Sequence, residues 1–323
     1  MTLEVGILSK TIFETDAWIS AISCSYNYTK YIVDNSVFLH VKSFIFGDRL
    51  ISLPFSDYGK LTPNVYSEKF QLLIENTNVE YLEARIPDWK TETFKAFKEA
   101  GFAEAVVYRT FLLNIEESSK VLWNKLGKKI RNSIRYALKN RVELKRVESL
   151  EDLKQFYYNL YLIGARELGS PPHSFKLYEN LRNFLGDKLL IDLALVDDKP
   201  IGAIVVLLGD KWANFWQNIA LRKYRKFNAS YLLLWNIIEE LSDGNFKIFD
   251  FGRTRENTGI YFFKKKWGGD ERKIYHMVYS PSKRVIPPDP HQRKYLLLSR
   301  LWRRLPLKVT NIIGSHLIGG IAL

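Results

Sequence analysis

One cysteine, Cys24, is all the chain offers in 323 residues, so no internal disulfide can form, and no paired spacing suits a structural zinc site. That usage fits a reducing cytoplasm. The five histidines (His40, His173, His276, His291 and His316) show no HxxxH spacing, and no bound metal is expected. No phosphate-binding P-loop, GxGxxG, GxSxG or short repeat is present, which removes several common enzyme classes. Uncharged, strongly apolar runs of about 18 residues are missing too, so a spanning helix is not expected. Residues 1–15 carry Glu4, Lys10 and Glu14 and lack the apolar centre of a secretory leader.

What is abundant is positive charge and apolar material. Forty-eight Lys and Arg face thirty-five Asp and Glu, a formal net charge of +13, and 46% of residues are hydrophobic. The excess favours polyanionic partners: nucleic acid, nucleotide-linked substrates or anionic membrane. The length predicts two domains.

The pattern along the chain is that of a mixed α/β (α+β) protein. Helices are expected over 16–24 and 91–100, strands over 37–46 and 106–113, and a strand running into a turn over 50–59, punctuated by Pro54 and Gly59. From Leu122 to Arg146 a basic helix is expected, with Leu122, Leu126, Ile130, Ile134 and Leu138 as its inward stripe and its cations outward. It reads either as a polyanion contact or as a solvated connector. Ser149 and Asp152 have the spacing of a capping box opening a helix that Gly169 and the prolines after it stop. Residues 189–196 and 201–208 form a hairpin around Asp197-Asp-Lys-Pro200, and 211–219 is a strand with Trp212 and Trp216 on one face. A helix over 229–241 closes at Gly244.

The densest chemistry follows. Ile248, Phe249 and Phe251 make a buried strand, Gly252 breaks it, and Asp250 and Arg253 emerge at its end. Then Gly259-Ile-Tyr-Phe-Phe-Lys-Lys-Lys-Trp-Gly268 interleaves rings with cations, read as a cationic aromatic turn at a sheet edge. Such cations suit phosphate or a developing oxyanion; the bland alternative is a solvated lysine face over a plugged core. Asp250 could orient a cation, take a proton from an amine, or be paired with backbone or Arg253.

The succession of strands, basic loop, helix and strand resembles an acyltransferase of the GNAT type. Arg131-Asn-Ser-Ile-Arg-Tyr-Ala137, Gly169-Ser-Pro-Pro172, Leu221-Arg-Lys-Tyr-Arg225, Asp250-Phe-Gly252 and the 259–268 block resemble the Fem aminoacyltransferases. They are closest to Fem-like proteins of exopolysaccharide and cell-surface systems. The likeness extends to Ser52-Leu-Pro-Phe-Ser-Asp-Tyr-Gly59 and Leu301-Trp-Arg-Arg-Leu-Pro306 and so covers nearly the whole chain.

The resemblance implies two tandem GNAT-like units, expected at 1–120 and 121–280, followed by a basic amphipathic tail at 281–323. It implies transfer of an aminoacyl or acyl group to an amine on a cell-wall or surface-glycan precursor, lipid-linked or nucleotide-linked. The donor would be aminoacyl-tRNA or acyl-CoA, and no cofactor would be tightly bound. The family's Phe-Lys pair falls on Phe263 and Lys264, with Asp250 as a third catalytic candidate. Expected substrate contacts are Arg131, Arg135, Arg253, Tyr261, Lys266, Trp267, Trp216 and Tyr58. Donor contacts are Arg225, Asn228 and Ser230, where Asn228 and Ser230 replace the small residues of a CoA-pyrophosphate loop and argue against acetyl-CoA. The long helical arm of some Fem enzymes is missing, which weakens the case for tRNA. Two other readings stand beside this one: a CoA-dependent N-acetyltransferase of polysaccharide biosynthesis, and a non-catalytic nucleic-acid or polyanion binder. The tail reads either as a contact with the inner face of an anionic membrane or as a helix docked on its own protein.

Overall fold

The computed structural model describes residues 10–44, 46–281 and 293–322. In chain order the first stretch gives α1 (Asp16–Tyr26), β1 (Thr29–Val33), β2 (Ser36–Val41), β3 (Arg49–Ile51), α2 (Ser67–Thr77), β4 (Tyr81–Pro87), α3 (Thr91–Glu99) and β5 (Ala103–Asn114). Next come α4 (Ser119–Lys125), α5 (Lys128–Lys139), β6 (Glu143–Arg146), α6 (Leu150–Phe156), α7 (Leu162–Leu168) and α8 (Phe175–Leu185). The chain ends with β7 (Leu189–Val196), β8 (Lys199–Leu208), β9 (Trp212–Ala220), α9 (Ala229–Asp243), β10 (Ile248–Asp250), α10 (Gly259–Lys265), β11 (Asp270–Tyr279), α11 (Arg293–Trp302) and α12 (Leu307–Ile321).

The eleven strands of the described residues form one mixed sheet in the order β1-β2-β3-β4-β11-β5-β10-β9-β8-β7-β6. The units expected at 1–120 and 121–280 are therefore joined by backbone hydrogen bonds: β11 lies between β4 and β5, antiparallel to both. Next to β5, β10 runs antiparallel to it and parallel to β9. Apolar residues fill both faces, with the α1, α8 and α6–α7 layer on one side and α5, α9 and α10 on the other.

Several local features follow from the sequence as read. Ser149 Oγ accepts from Asp152 N at 3.0 Å and the Asp152 carboxylate accepts from Ser149 N, so the capping box forms. A single π turn (Tyr157–Tyr161) separates α6 from α7, and Gly169 at φ +79° stops the run. The β7–β8 hairpin turns through Asp197 and Asp198, both at positive φ, the backbone that two-residue hairpin turns require.

Others differ. The 122–146 segment is two helices and a strand. The extended backbone of Leu126 and Gly127 (ψ 137° and 144°) ends the first helix, and β6 pairs with β7. Leu122, Leu126, Ile130 and Ile134 face inward as the spacing predicts, but Leu138 is 56% exposed and Ala137, one residue earlier, is buried in its place. At the far end, Arg146 is taken by Asp192 and Glu240, and Lys145 by Asp152. Nor is 259–268 a turn at a sheet edge: α10 occupies most of it, and β10 is central in the sheet.

The tail helix α12 docks on the protein. Gly314 lies against Pro172, where an added Cβ would come within 2.3 Å of Cδ. Arg49 Nη2 donates to Gly320 O and Ile321 O (2.9 and 2.7 Å), and Arg85 Nη2 to Ala322 O (3.0 Å), so the Nη2 groups of two fully buried guanidiniums find their acceptors in the carbonyls that end this helix. Lys283, Arg284, Asp289 and His291 of the expected basic tail lie outside the described residues.

Candidate active site

The site begins where two parallel strands part. β9 and β10 pair over only three positions, from Ile248↔Trp212 to Asp250↔Asn214. Gly252, at φ +68°, then turns the chain away while β9 continues to Ala220. Only glycine suits this place, because a Cβ would sit 2.8 Å from Phe215 O and 3.0 Å from the Asp57 carboxylate. On its other side β9 carries a bulge: Val205 faces Gln217 and Val206 faces Phe215, leaving Trp216 as the extra residue.

The gap so opened is a cavity of about 470 Å³. Its walls are Phe215–Trp216 and Asn218–Ala220 of β9, the start of α9 with Asn228–Tyr231, Gly164, Glu167 and Leu168 of α7, and Gly259, Ile260, Phe263 and Lys264 of α10, with Arg225 and Arg253. This brings together seven residues expected from the sequence: Lys264, Phe263, Arg253, Trp216, Arg225, Asn228 and Ser230.

Lys264 is the chemically distinctive member. Thr258 caps α10, its Oγ1 accepting from Tyr261 N at 3.2 Å, and two turns later Lys264 points inward, only 6% exposed. Its ammonium donates to Gly252 O (2.8 Å) and Arg253 O (3.1 Å) and lies 5.7 Å from the centre of the Phe215 ring. An ammonium has three N–H donors. Among the described residues Lys264 makes no third hydrogen bond, so one donor is free for whatever enters the cavity. Burial drives its pKa down to about 8, although the carboxylates of Asp57 and Asp250 pull the other way.

Asp250 sits behind the cavity floor, not in it. Fully buried, its Oδ1 accepts from Thr110 Oγ1 (2.5 Å) and Gly252 N (2.9 Å), and its Oδ2 from Tyr58 OH (2.8 Å) and Asn214 Nδ2 (3.2 Å). With both oxygens held and no opening to the cavity, it positions Gly252 rather than meeting a substrate. Burial and the nearby Asp57 raise its pKa to about 6, while the four donors aimed at its oxygens favour the ionised form. Tyr58 belongs to the same buried cluster. Asp57, which the motif reading passed over, completes it: Arg253 Nε lies 3.4 Å from its Oδ1, and Arg253 Nη1 3.3 Å from His276 Nε2.

The remaining expected contacts lie elsewhere. Tyr261 is buried beside the cavity without lining it and donates to Glu271 (2.9 Å). Trp267 is buried in the core beside Phe251, and Lys266 is exposed. Arg131 and Arg135 are on α5, outside the cavity, with Arg135 over the Trp123 ring. Tyr231, Asn218 and Glu167 were missed; Tyr231 packs edge-on to Phe263 at 5.2 Å and fixes that wall. Only the register of β9 and α9 brings them here, which no short motif records. Among the described residues no group of His, Cys, Asp and Glu could hold a metal ion, and no helix is long and apolar enough to cross a membrane.

Residues 124–265, which contain the whole cavity apart from its surroundings in the first half, match the acetyltransferase (GNAT) domain family. Among solved structures the chain is similar to FemX, with a TM-score of 0.62 and 12% identity over 83% of this chain and 92% of that one. It is similar also to L-PGS from Bacillus licheniformis, with a TM-score of 0.59 and 12% identity over 88% and 92% of the two chains. No curated protein matches its sequence. The fold is that of the Fem-like GNAT acyltransferases.

Proposed function

We propose that this Fem-like GNAT fold is an acyltransferase that moves an aminoacyl or acyl group from an activated ester or thioester to a primary amine on a cell-wall or surface-glycan precursor, working at the cytoplasmic side. The observation that carries the proposal is the ammonium of Lys264 in the wall of the cavity, with two of its three donors taken. The amine's lone pair attacks the carbonyl carbon and the C=O pair moves onto oxygen. Collapse of that oxyanion expels the donor's oxygen or sulfur, which takes the proton the nitrogen gives up. The donor is already activated, so no covalent enzyme intermediate is needed; alignment and oxyanion stabilisation suffice. Lys264 supplies the charge through its free N–H. Phe263, braced by Tyr231, supplies the wall against which the acyl group lies.

Two donors fit this chemistry. The side chains of Asn228 and Ser230 at the start of α9 favour aminoacyl-tRNA over CoA, because they stand where a pyrophosphate would approach backbone amides. One observation favours CoA: Asn228 takes φ +57°, the left-handed backbone that glycine would otherwise supply, so the turn itself is preserved.

The test is equilibrium binding of radiolabelled acetyl-CoA and of an aminoacyl-tRNA pool, with uncharged tRNA as control, at near-physiological salt. Preference for charged over uncharged tRNA supports aminoacyl transfer, and saturable acetyl-CoA binding reassigns the donor. Equal, steeply salt-dependent binding of both tRNAs with no CoA binding leaves a polyanion binder and ends the acyltransferase reading.

A further inference from the structure

The tail helices carry a second feature that the cavity does not use. Ser299 of α11 and Arg303, just past its end, face the protein: Arg303 Nη2 donates to Leu168 O at 3.0 Å and Ser299 Oγ to the same carbonyl at 3.4 Å. The opposite side presents Leu297, Leu298 and Leu301 at 58–60% exposure, and α12 adds Ile312 at 66%. Residues 290–323 contain no Asp or Glu, whereas Arg300, Arg304 and Lys308 are exposed among those leucines. A large apolar stripe skirted by cations of one sign is what an anionic bilayer surface binds. An RNA partner would account for the arginines but leaves the leucines in water.

The position of this face matters. Leu168, to which α11 is bonded, is itself 56% exposed and lines the cavity mouth, and Ile260, 61% exposed, lines it from α10. We infer that α11 and the outer face of α12 dock the chain on an anionic membrane surface, with Leu168 at the contact, so that the cavity mouth opens beside the lipid headgroups. Its meaning for the reaction rests on the acyl-transfer reading: the acceptor amine would then be one displayed at the membrane surface. The docking itself does not depend on that reading.

The experiment is sedimentation of the full chain with sucrose-loaded vesicles of phosphatidylcholine alone and of phosphatidylcholine with phosphatidylglycerol. Binding to the anionic vesicles should exceed binding to the neutral ones roughly ten-fold or more and weaken as salt is added. The triple variant Leu297→Ser, Leu298→Ser, Leu301→Ser should lose at least roughly ten-fold with its unfolding temperature unchanged, because those side chains are already in water. A chain that stays in the supernatant, a triple variant that binds like the parent, or exclusion of vesicles by stoichiometric tRNA would overturn the proposal. Orientation is read separately with Cys24→Ser, Ile260→Cys carrying an environment-sensitive fluorophore. A blue shift on adding anionic vesicles places the mouth at the bilayer; no shift from a chain that sediments refutes that placement. Vesicle binding without binding of either donor would remove the acyl-transfer reading and leave the docking surface standing.

Discussion

Lys264→Met exchanges the buried ammonium for an apolar chain of similar length, and its effect on stability depends on pH in a way that isolates the charge. In the unfolded chain the group titrates near its ordinary 10.5; in the fold it titrates at about 8. Below pH 8 both states hold the proton and the folded state bears the whole desolvation cost, about 3 kcal/mol. Between those two values the unfolded state binds more protons than the folded one, so wild-type stability rises with pH, and the cost has vanished above the unfolded value. The variant has no such group. Its own defect is constant: Gly252 O and Arg253 O lose their donor, about 1–3 kcal/mol each. Urea unfolding at pH 7 and pH 9 should therefore show wild type gaining about 1 kcal/mol on the variant, while absolute stabilities drift together through groups common to both. Asp250, titrating at about 6, loses the Lys264 charge in the variant and its pKa rises there, which adds to the wild-type gain and does not reverse its sign. A difference that stays flat would mean that Lys264 titrates near 10.5 in the fold, and the argument that its environment is dry enough to strengthen an oxyanion contact would fall with it.

Asp57→Asn removes the carboxylate that most raises the Lys264 pKa, so the alkaline limb of donor turnover, set by loss of the ammonium above about 8, should move to lower pH; an unmoved limb would show that another group sets it. Asp250→Asn turns an NH₂ group toward donors that already point at it, which should cost about 2–4 kcal/mol in urea unfolding and reduce transfer through a displaced Gly252; wild-type stability with full activity would refute the positioning role. Phe263→Ala, which leaves Lys264 in place, should raise KM for the donor more than it lowers kcat, and the opposite split in steady-state kinetics would move Phe263 into the chemical step. Deleting residues 307–323 should destabilise the chain by about 3 kcal/mol or more, because the Nη2 groups of Arg49 and Arg85 lose their carbonyl acceptors; an unchanged unfolding midpoint would show that water replaces them freely.

Local chemistry was legible where it is written locally. The capping box at Ser149, the hairpin read around Asp197-Asp-Lys-Pro200 and the apolar run of α9 each state their own geometry, and each formed, the turn tightened to Asp197-Asp198 with Lys199 and Pro200 in β8. By contrast β4 was missed because its buried positions include Glu83 and Arg85, paired at 2.8 Å, so the alternation that announces a strand is broken by charges that belong to the core. The long basic helix was misread because a four-residue apolar repeat carried across Gly127, where the backbone is extended. The Lys264 triplet shows both outcomes within three residues: a helix turns about 100° per residue, so Lys264 faces the cavity while Lys265 and Lys266 are the solvated face that a run of lysines ordinarily makes. The cluster beneath the site joins Tyr58, Thr110, Asn214 and Asp250, residues up to 192 positions apart, and only the assembled sheet brings them into contact.

Among the described residues, β11, which joins the two halves of the sheet, is the last strand in chain order. Until residues 270–279 have emerged, β4 and β5 hold facing edges with nothing between them, and β10 is joined to the first half only through its three-residue pairing with β5. From the completion of β5 until then, the nascent chain must keep two open edges from pairing with each other or with a neighbour. Closure, when it comes, is a single late event that finishes both halves together. Expressed apart, neither half would have a complete sheet, and a cut anywhere between them would separate the edges from the strand that seals them.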